Sequence, residues 1–213
     1  MKRVIVSGLF LLLSGIACMT WGRTMRDVFV QMPDSLIPLL SKDARLDCVD
    51  YIDSGMKAMV KNQFGENSSL QVLTEQYARI SFSSVATWEL KLLTNGQDSM
   101  VCLVKTYGTP VPESTLSFYD LKWKKIPLRR YIVMPHARDF EKPASGTTTA
   151  ADLERVRLHT KNAMISATFQ EPGNELLFRC RADEADPEVR KELQPLLKDS
   201  IRYVWKGGKF VRN

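Results

Sequence analysis

Four aspartates fall at helical spacing in one short stretch: Asp43, Asp47, Asp50 and Asp53. Carboxylates in such a row can hold a cation, share a proton, or keep one side of a helix wet. A calcium loop needs its oxygens in close alternation around a turn, as in DxDxDG. Steps of three and four residues instead spread these groups along about three helical turns, too far apart for one ion. The row therefore reads as a solvated face, with Asp43, Asp47 and Asp50 as contacts for a basic partner rather than metal ligands.

A second constellation is basic. Lys122, Lys124, Lys125, Arg129 and Arg130 surround Trp123. Such a cluster can meet anionic headgroups, lipopolysaccharide or an acidic partner, and lysines also protect the edge strands of sheets. Trp123 and Trp205, both close to expected hairpin turns, are the aromatics best placed for exposure. There they would stack on a carbohydrate or staple their own sheet. Lys122, Trp123, Lys124, Arg129, Arg130 and Trp205 complete the set of candidate contacts.

Catalytic signatures are missing. The histidines are His136 and His159, with no HExxH and no pairing with cysteine at zinc spacing. Neither a metal nor another cofactor is expected. No serine or cysteine sits in an activating motif such as GxSxG. The stretch "WKGGKF" is a hairpin turn, because a phosphate loop needs GxxxxGK[ST] leading into a helix. An enzyme would require carboxylates converging from separate elements, for example Glu89 with an aspartate of the helical row. The reaction class would then be hydrolysis of envelope polymers.

The elements that must position these groups follow from periodicity. Residues 23–31 suggest a short first helix, and Asp34 can cap a turn through Leu36 to Leu40. Ser41 caps a second helix with Leu46, Val49, Ile52 and Met56 as its apolar stripe, and residues 57–61 continue it past Gly55. Beyond "FGENSS" the period changes to two. Strands are expected at 69–73, 78–83, 86–93 and 100–107, with Trp88, Leu90 and Leu92 on one face and Glu89 and Lys91 on the other. Asn95-Gly96 is a strong hairpin signal between the last two. Strands at 115–119, 123–126 and 131–134 lead into the long polar loop 134–150. A short helix at 152–159 follows, then strands at 163–169 and 175–181. Asp186-Pro187-Glu188 opens a later helix. Gly207-Gly208 turns a C-terminal hairpin in which Trp205 faces Phe210.

The chain's first residues point to a compartment. Lys2 and Arg3 precede an apolar run through Ile16-Ala17, followed by small residues, which is the pattern of a secretory signal peptide. A cut after Gly22 is favoured; a lipoprotein cut before Cys18 is the alternative, and only lipidation there would attach the chain to a membrane. Export leaves 28 basic against 24 acidic side chains, a net charge of +4. That balance is too mild to imply nucleic acid. Cys48, Cys102 and Cys180 remain, with no CxxC, and their apolar surroundings suit buried free thiols. Of the 213 residues, 44% are hydrophobic and 25% charged, which fits one globular domain over 23–213. Two short echoes, "LIPLLSKD" with "LQPLLKDS" and "SFYDLKWKK" with "SIRYVWKGG", raise an internal duplication.

The segments "DVFVQMPDSLIPLL", "RLDCVDYIDSGMKA" and "CLVKTYGTPVPES" resemble the exported proteins grouped as domain of unknown function 3256. The resemblance spans roughly residues 25–211. It implies a small envelope protein of Gram-negative anaerobes, periplasmic or outer-membrane associated, and no catalytic residues. The fold expected is α+β: N-terminal helices packed on an antiparallel β-sheet, with a later helix and a C-terminal β-hairpin. The function expected is non-catalytic binding of an envelope protein or glycan.

Overall fold

The computed structural model describes residues 23–96, 98–143, 149–181 and 187–213. The expected signal peptide and its Cys18 alternative lie outside these residues.

Helix α1, Met25–Val30, starts at a capping box. The Thr24 hydroxyl accepts from the Asp27 N–H, and the Asp27 carboxylate accepts from the Thr24 N–H. Helix α2, Lys42–Asp53, is capped by Ser41 as expected. Its buried face is set one position away from the expected stripe. Arg45, Cys48 and Val49 are buried, whereas Leu46 is 40% exposed and Met56 is 53% exposed. The cause is Arg45. Its guanidinium donates to the carbonyls of Leu40 at 2.5 Å and Met32 at 2.6 Å, and to Asp34 Oδ1 at 2.9 Å. A third carbonyl, that of Val30, lies at 3.2 Å. One side chain thus satisfies the connector between the helices and turns α2 about its axis. Gly55, at φ +68°, lies just beyond the helix. Residues 59–61, expected to continue it, instead form strand β1, Met59–Lys61.

From there the chain runs as an antiparallel meander. Strands β2 (Asn67–Leu73), β3 (Tyr77–Ser83), β4 (Ala86–Asn95), β5 (Asp98–Tyr107), β6 (Glu113–Asp120) and β7 (Lys125–Ile126) join β1 in a seven-stranded sheet in sequence order. The Asn95-Gly96 hairpin forms where expected, with Asn95 paired to Asp98. Residues 131–134 are irregular rather than a strand. The Tyr131 carbonyl nevertheless accepts from the Phe210 N–H at 2.7 Å. A 3-10 turn at Ala137–Phe140 and helix α3, Ala150–His159, precede the second sheet. Strands β8 (Met164–Gln170), β9 (Glu175–Arg181), β10 (Ile201–Lys206) and β11 (Lys209–Arg212) make that sheet, again a meander. Helix α4, Pro187–Leu193, lies between β9 and β10.

The layers follow from alternation along β4 and β5. Trp88, Leu90, Leu92, Val101 and Leu103 share an apolar cluster with α1, α2 and the 32–40 connector. On the opposite face Leu93, Met100, Cys102 and Val104 share another with Phe169, Phe178 and Phe210 of the second sheet. The seven-stranded sheet is therefore sandwiched, with helices on one face and the four-stranded sheet on the other. This is the α+β architecture expected, with the C-terminal hairpin β10–β11 forming part of a second sheet. The two copies of the first echo lead into unlike elements, residues 36–43 into α2 and residues 193–200 into β10, while those of the second, 117–125 and 200–208, both run from a strand into a hairpin turn.

The C-terminal hairpin docks on the tip of the β4–β5 hairpin. Gly208, at φ +78°, has Asn95 so close that an added Cβ would stand 2.3 Å from its Nδ2. Only glycine fits that turn. Trp205 pairs with Phe210 as expected, and its indole N–H donates to the Thr94 carbonyl at 2.7 Å.

Candidate functional site

The alternation that sends Trp88 and Leu90 toward the helices sends Glu89 and Lys91 the other way, but not into water. Glu89 is 3% exposed and Lys91 is 1% exposed. Both reach the second sheet. Strand β8 is an edge strand, and an edge leaves a row of backbone N–H groups without partners. Glu89 closes two donors there: it accepts from the Phe169 N–H at 2.9 Å and from Thr168 Oγ1 at 2.9 Å. Ser114 of β6 closes another, accepting from the Ala167 N–H at 2.9 Å. Lys91 pairs with Glu171 at 2.6 Å, beyond the end of β8. Burial, and after it the Glu89 charge, push the Tyr77 hydroxyl and the Cys102 thiol well above their ordinary ranges.

Because β8 ends the second sheet there, part of the seven-stranded sheet beyond it stays uncovered. The result is a cleft of about 460 Å³. Arg79, Thr87, Glu89 and Thr106 form its floor, from the face of the first sheet turned toward the second. Its wall is Ser166 and Thr168 of β8 with Arg179 and Arg181 of β9. Arg179 and Arg181 alternate with the buried Phe178 and Cys180, so they rise from the outer face of the second sheet. The β3–β4 turn at Ser84-Val85 and the β5–β6 connection at Gly108 and Pro112 close the ends.

The cleft's charge is unbalanced. Arg79 stands directly opposite Glu89 across β3 and β4, where opposite charges normally pair. Glu89 has instead turned to β8. Arg79 Nε is buried without a hydrogen-bond partner among the described residues. Arg181 donates to the Pro110 carbonyl at 3.3 Å, and Arg179 is exposed. Among the described residues, three guanidinium groups thus line a cleft with one carboxylate, that of Glu89, which is already hydrogen-bonded.

The residues picked out from sequence lie elsewhere. Asp43, Asp47 and Asp50 are exposed along α2, on the helix side of the first sheet, while Asp53 pairs with Arg26. Glu89 faces the opposite layer, so it does not converge with the aspartates of the helical row. Among the described residues no three His, Cys, Asp or Glu side chains group to hold a metal ion. The basic cluster divides. Lys122 and Lys124 are exposed on the β6–β7 turn, where their backbone N–H groups donate to Asp120 at 2.8 and 2.9 Å. Arg129 and Arg130 line a separate groove of about 640 Å³ with Lys209 and Val211.

Neither tryptophan is a free platform. Trp123 is 9% exposed. It adopts φ +64° and packs on Tyr119 at 5.5 Å between ring centroids. Trp205 is half-buried against Phe210 at 5.0 Å. Both act as staples. Sequence reasoning passed over Arg79, Arg179 and Arg181; the signal it had was Arg179-Cys180-Arg181, arginine alternating with a buried residue in a strand.

No curated protein matches the chain. Among solved structures it is similar to one described as "Structure of a domain of an uncharacterized protein from Porphyromonas gingivalis W83". The identity is 21% and the TM-score 0.75, over 89% of this chain and 97% of that one, a likeness of fold. A family profile described as "Protein of unknown function (DUF3256)" matches residues 18–210, and the chain belongs to that family.

Proposed function

We propose that this protein is a non-catalytic binding module of the cell envelope, exported by its N-terminal segment, and that it holds its partner in the cleft between the two sheets. The observation that carries the reading is the convergence of Arg79, Arg179 and Arg181 on a concave, hydroxyl-lined space. A volume of about 460 Å³ falls within the range of small-molecule and glycan-fragment sites. The role of Glu89 also favours binding over hydrolysis, because both its oxygens already accept hydrogen bonds from β8. The basic, apolar start of the sequence supports export.

The test is a paired capture from envelope extract, with proteins and glycans both identified. One bait is the parent protein; the other is Thr87→Trp, which fills the cleft floor. Equal melting temperatures establish that both are folded. The reading expects a saturable partner retained by the parent and lost by the filled variant. Equal retention by both baits would remove the cleft from the function.

A further inference from the structure

We infer that the cleft selects an oxyanion, a carboxylate, sulfate or phosphate ester group, with Arg79 as its anchor. This rests on the cleft being the binding site. Arg79 stands beside a carboxylate that does not pair with it. Directly across the strands from Arg79, Glu89 would be the ordinary counter-ion. Its oxygens instead accept from Thr168 Oγ1 and the Phe169 N–H. Arg79 is left with a buried Nε lacking a partner among the described residues. The Nε itself is buried, so contact with a cleft anion falls to the terminal Nη groups, whose planar fork matches the paired oxygens of an oxyanion. Arg179 and Arg181 line the same cleft from the outer face of the second sheet, so the cleft draws positive charge from both sheets.

Glu89 does not forbid this. Its charge is already stabilised by two donors, and three guanidinium groups line the cleft with it. The remaining lining is rich in hydroxyls, from Thr87, Thr106, Ser166 and Thr168. The space exceeds a lone anion's, so the oxyanion is one group on a larger polar molecule. Hydroxyls of an acidic sugar would suit that lining.

Arginine Nε–Hε resonances provide the test. The labelled protein is titrated with inorganic phosphate, inorganic sulfate, glucuronate and, as controls, glucose and sodium chloride at matched ionic strength. The inference expects a saturable shift of the Arg79 Nε–Hε signal with at least one oxyanion and none with glucose or chloride. Which arm saturates at lowest concentration identifies the oxyanion. Arg79→Lys keeps the charge but not the fork and removes the reporting resonance, so its binding is followed through the Arg179 and Arg181 Nε–Hε signals and by calorimetry; it should be weaker by about tenfold or more, while Arg129→Ala in the separate groove should leave binding unchanged. Equal melting temperatures of the variants exclude misfolding. A response that follows ionic strength alone, or is equal in Arg79→Lys, overturns the inference. If the partner is lost from the Thr87→Trp bait while no oxyanion saturates, the ligand class is wrong and the cleft stands. If an oxyanion saturates while both baits retain the partner, it is an adventitious ion only and the inference fails.

Discussion

Arg45 organises more of the N-terminal layer than any apolar side chain of α2. It reaches three carbonyls and one carboxylate from a position 1% exposed. Removing it leaves those carbonyls buried without a donor, a loss of about 3 kcal/mol or more. Arg45→Met should therefore lower the urea midpoint sharply, whereas Leu46→Ala, at a half-open position, should cost about 1 kcal/mol or less. An equal loss in the two variants would contradict the placement of α2. The three thiols are sheltered by burial. Burial pushes Cys48 and Cys180 up to about 11, and Cys102 is buried in the core between the sheets. At pH 8 the native protein should react slowly with a thiol reagent, because the thiolate is the reactive form. All three should react promptly once it is unfolded. The Thr24 N–H and hydroxyl hold the Asp27 carboxyl below its ordinary range, and Thr149 does the same for Asp152. A depressed folded value means the contribution is full above the unfolded carboxylate value of about 4. It is lost as pH falls through the folded value. Asp27→Asn should flatten that acid limb in melting curves between pH 5 and pH 2.

At the scale of elements, β4 and β8 are the coupled pair. Glu89→Ala exposes the Phe169 N–H on an edge strand and removes two hydrogen bonds to a charged group. The expected cost is about 3 kcal/mol, with faster amide exchange at Phe169; Glu89→Gln, which keeps one acceptor oxygen, should lose less. Unchanged exchange at Phe169 in Glu89→Ala would contradict the clamp. What the sequence discloses at this scale divides by range. The β4–β5 and β10–β11 hairpins are legible because Asn95-Gly96 and Gly207-Gly208 specify their turns locally. The alternation of Glu89 and Lys91 against Leu90 is legible for the same reason. What covers the polar face is not, since period two states only that the faces differ. The α2 stripe misleads because 45, 48, 49 and 52 share a helical period with 46, 49, 52 and 56. An arginine at 45 reads as wet until its carbonyl acceptors come from another segment. The strand expected at 131–134 fails similarly, its one ladder bond going to β11.

At the scale of the molecule, the seven-stranded sheet has two jobs. One face carries α1 and α2; the other carries the second sheet and, where that sheet stops, the arginine cleft. The acidic row and the basic turn seen in sequence are both outside it, because a cleft between layers draws on strands far apart along the chain. Nothing local announces that Arg79 of β3 will share a space with Arg179 of β9. This cleft, rather than the α2 face or the Arg129–Arg130 groove, is the proposed seat of the partner. Hydrogen-exchange mapping of the protein with and without saturating captured partner tests it most directly. The account predicts slowed exchange concentrated in β3, the start of β4 and β8. Slowing confined to α2, or to residues 128–134 and β11, would contradict it.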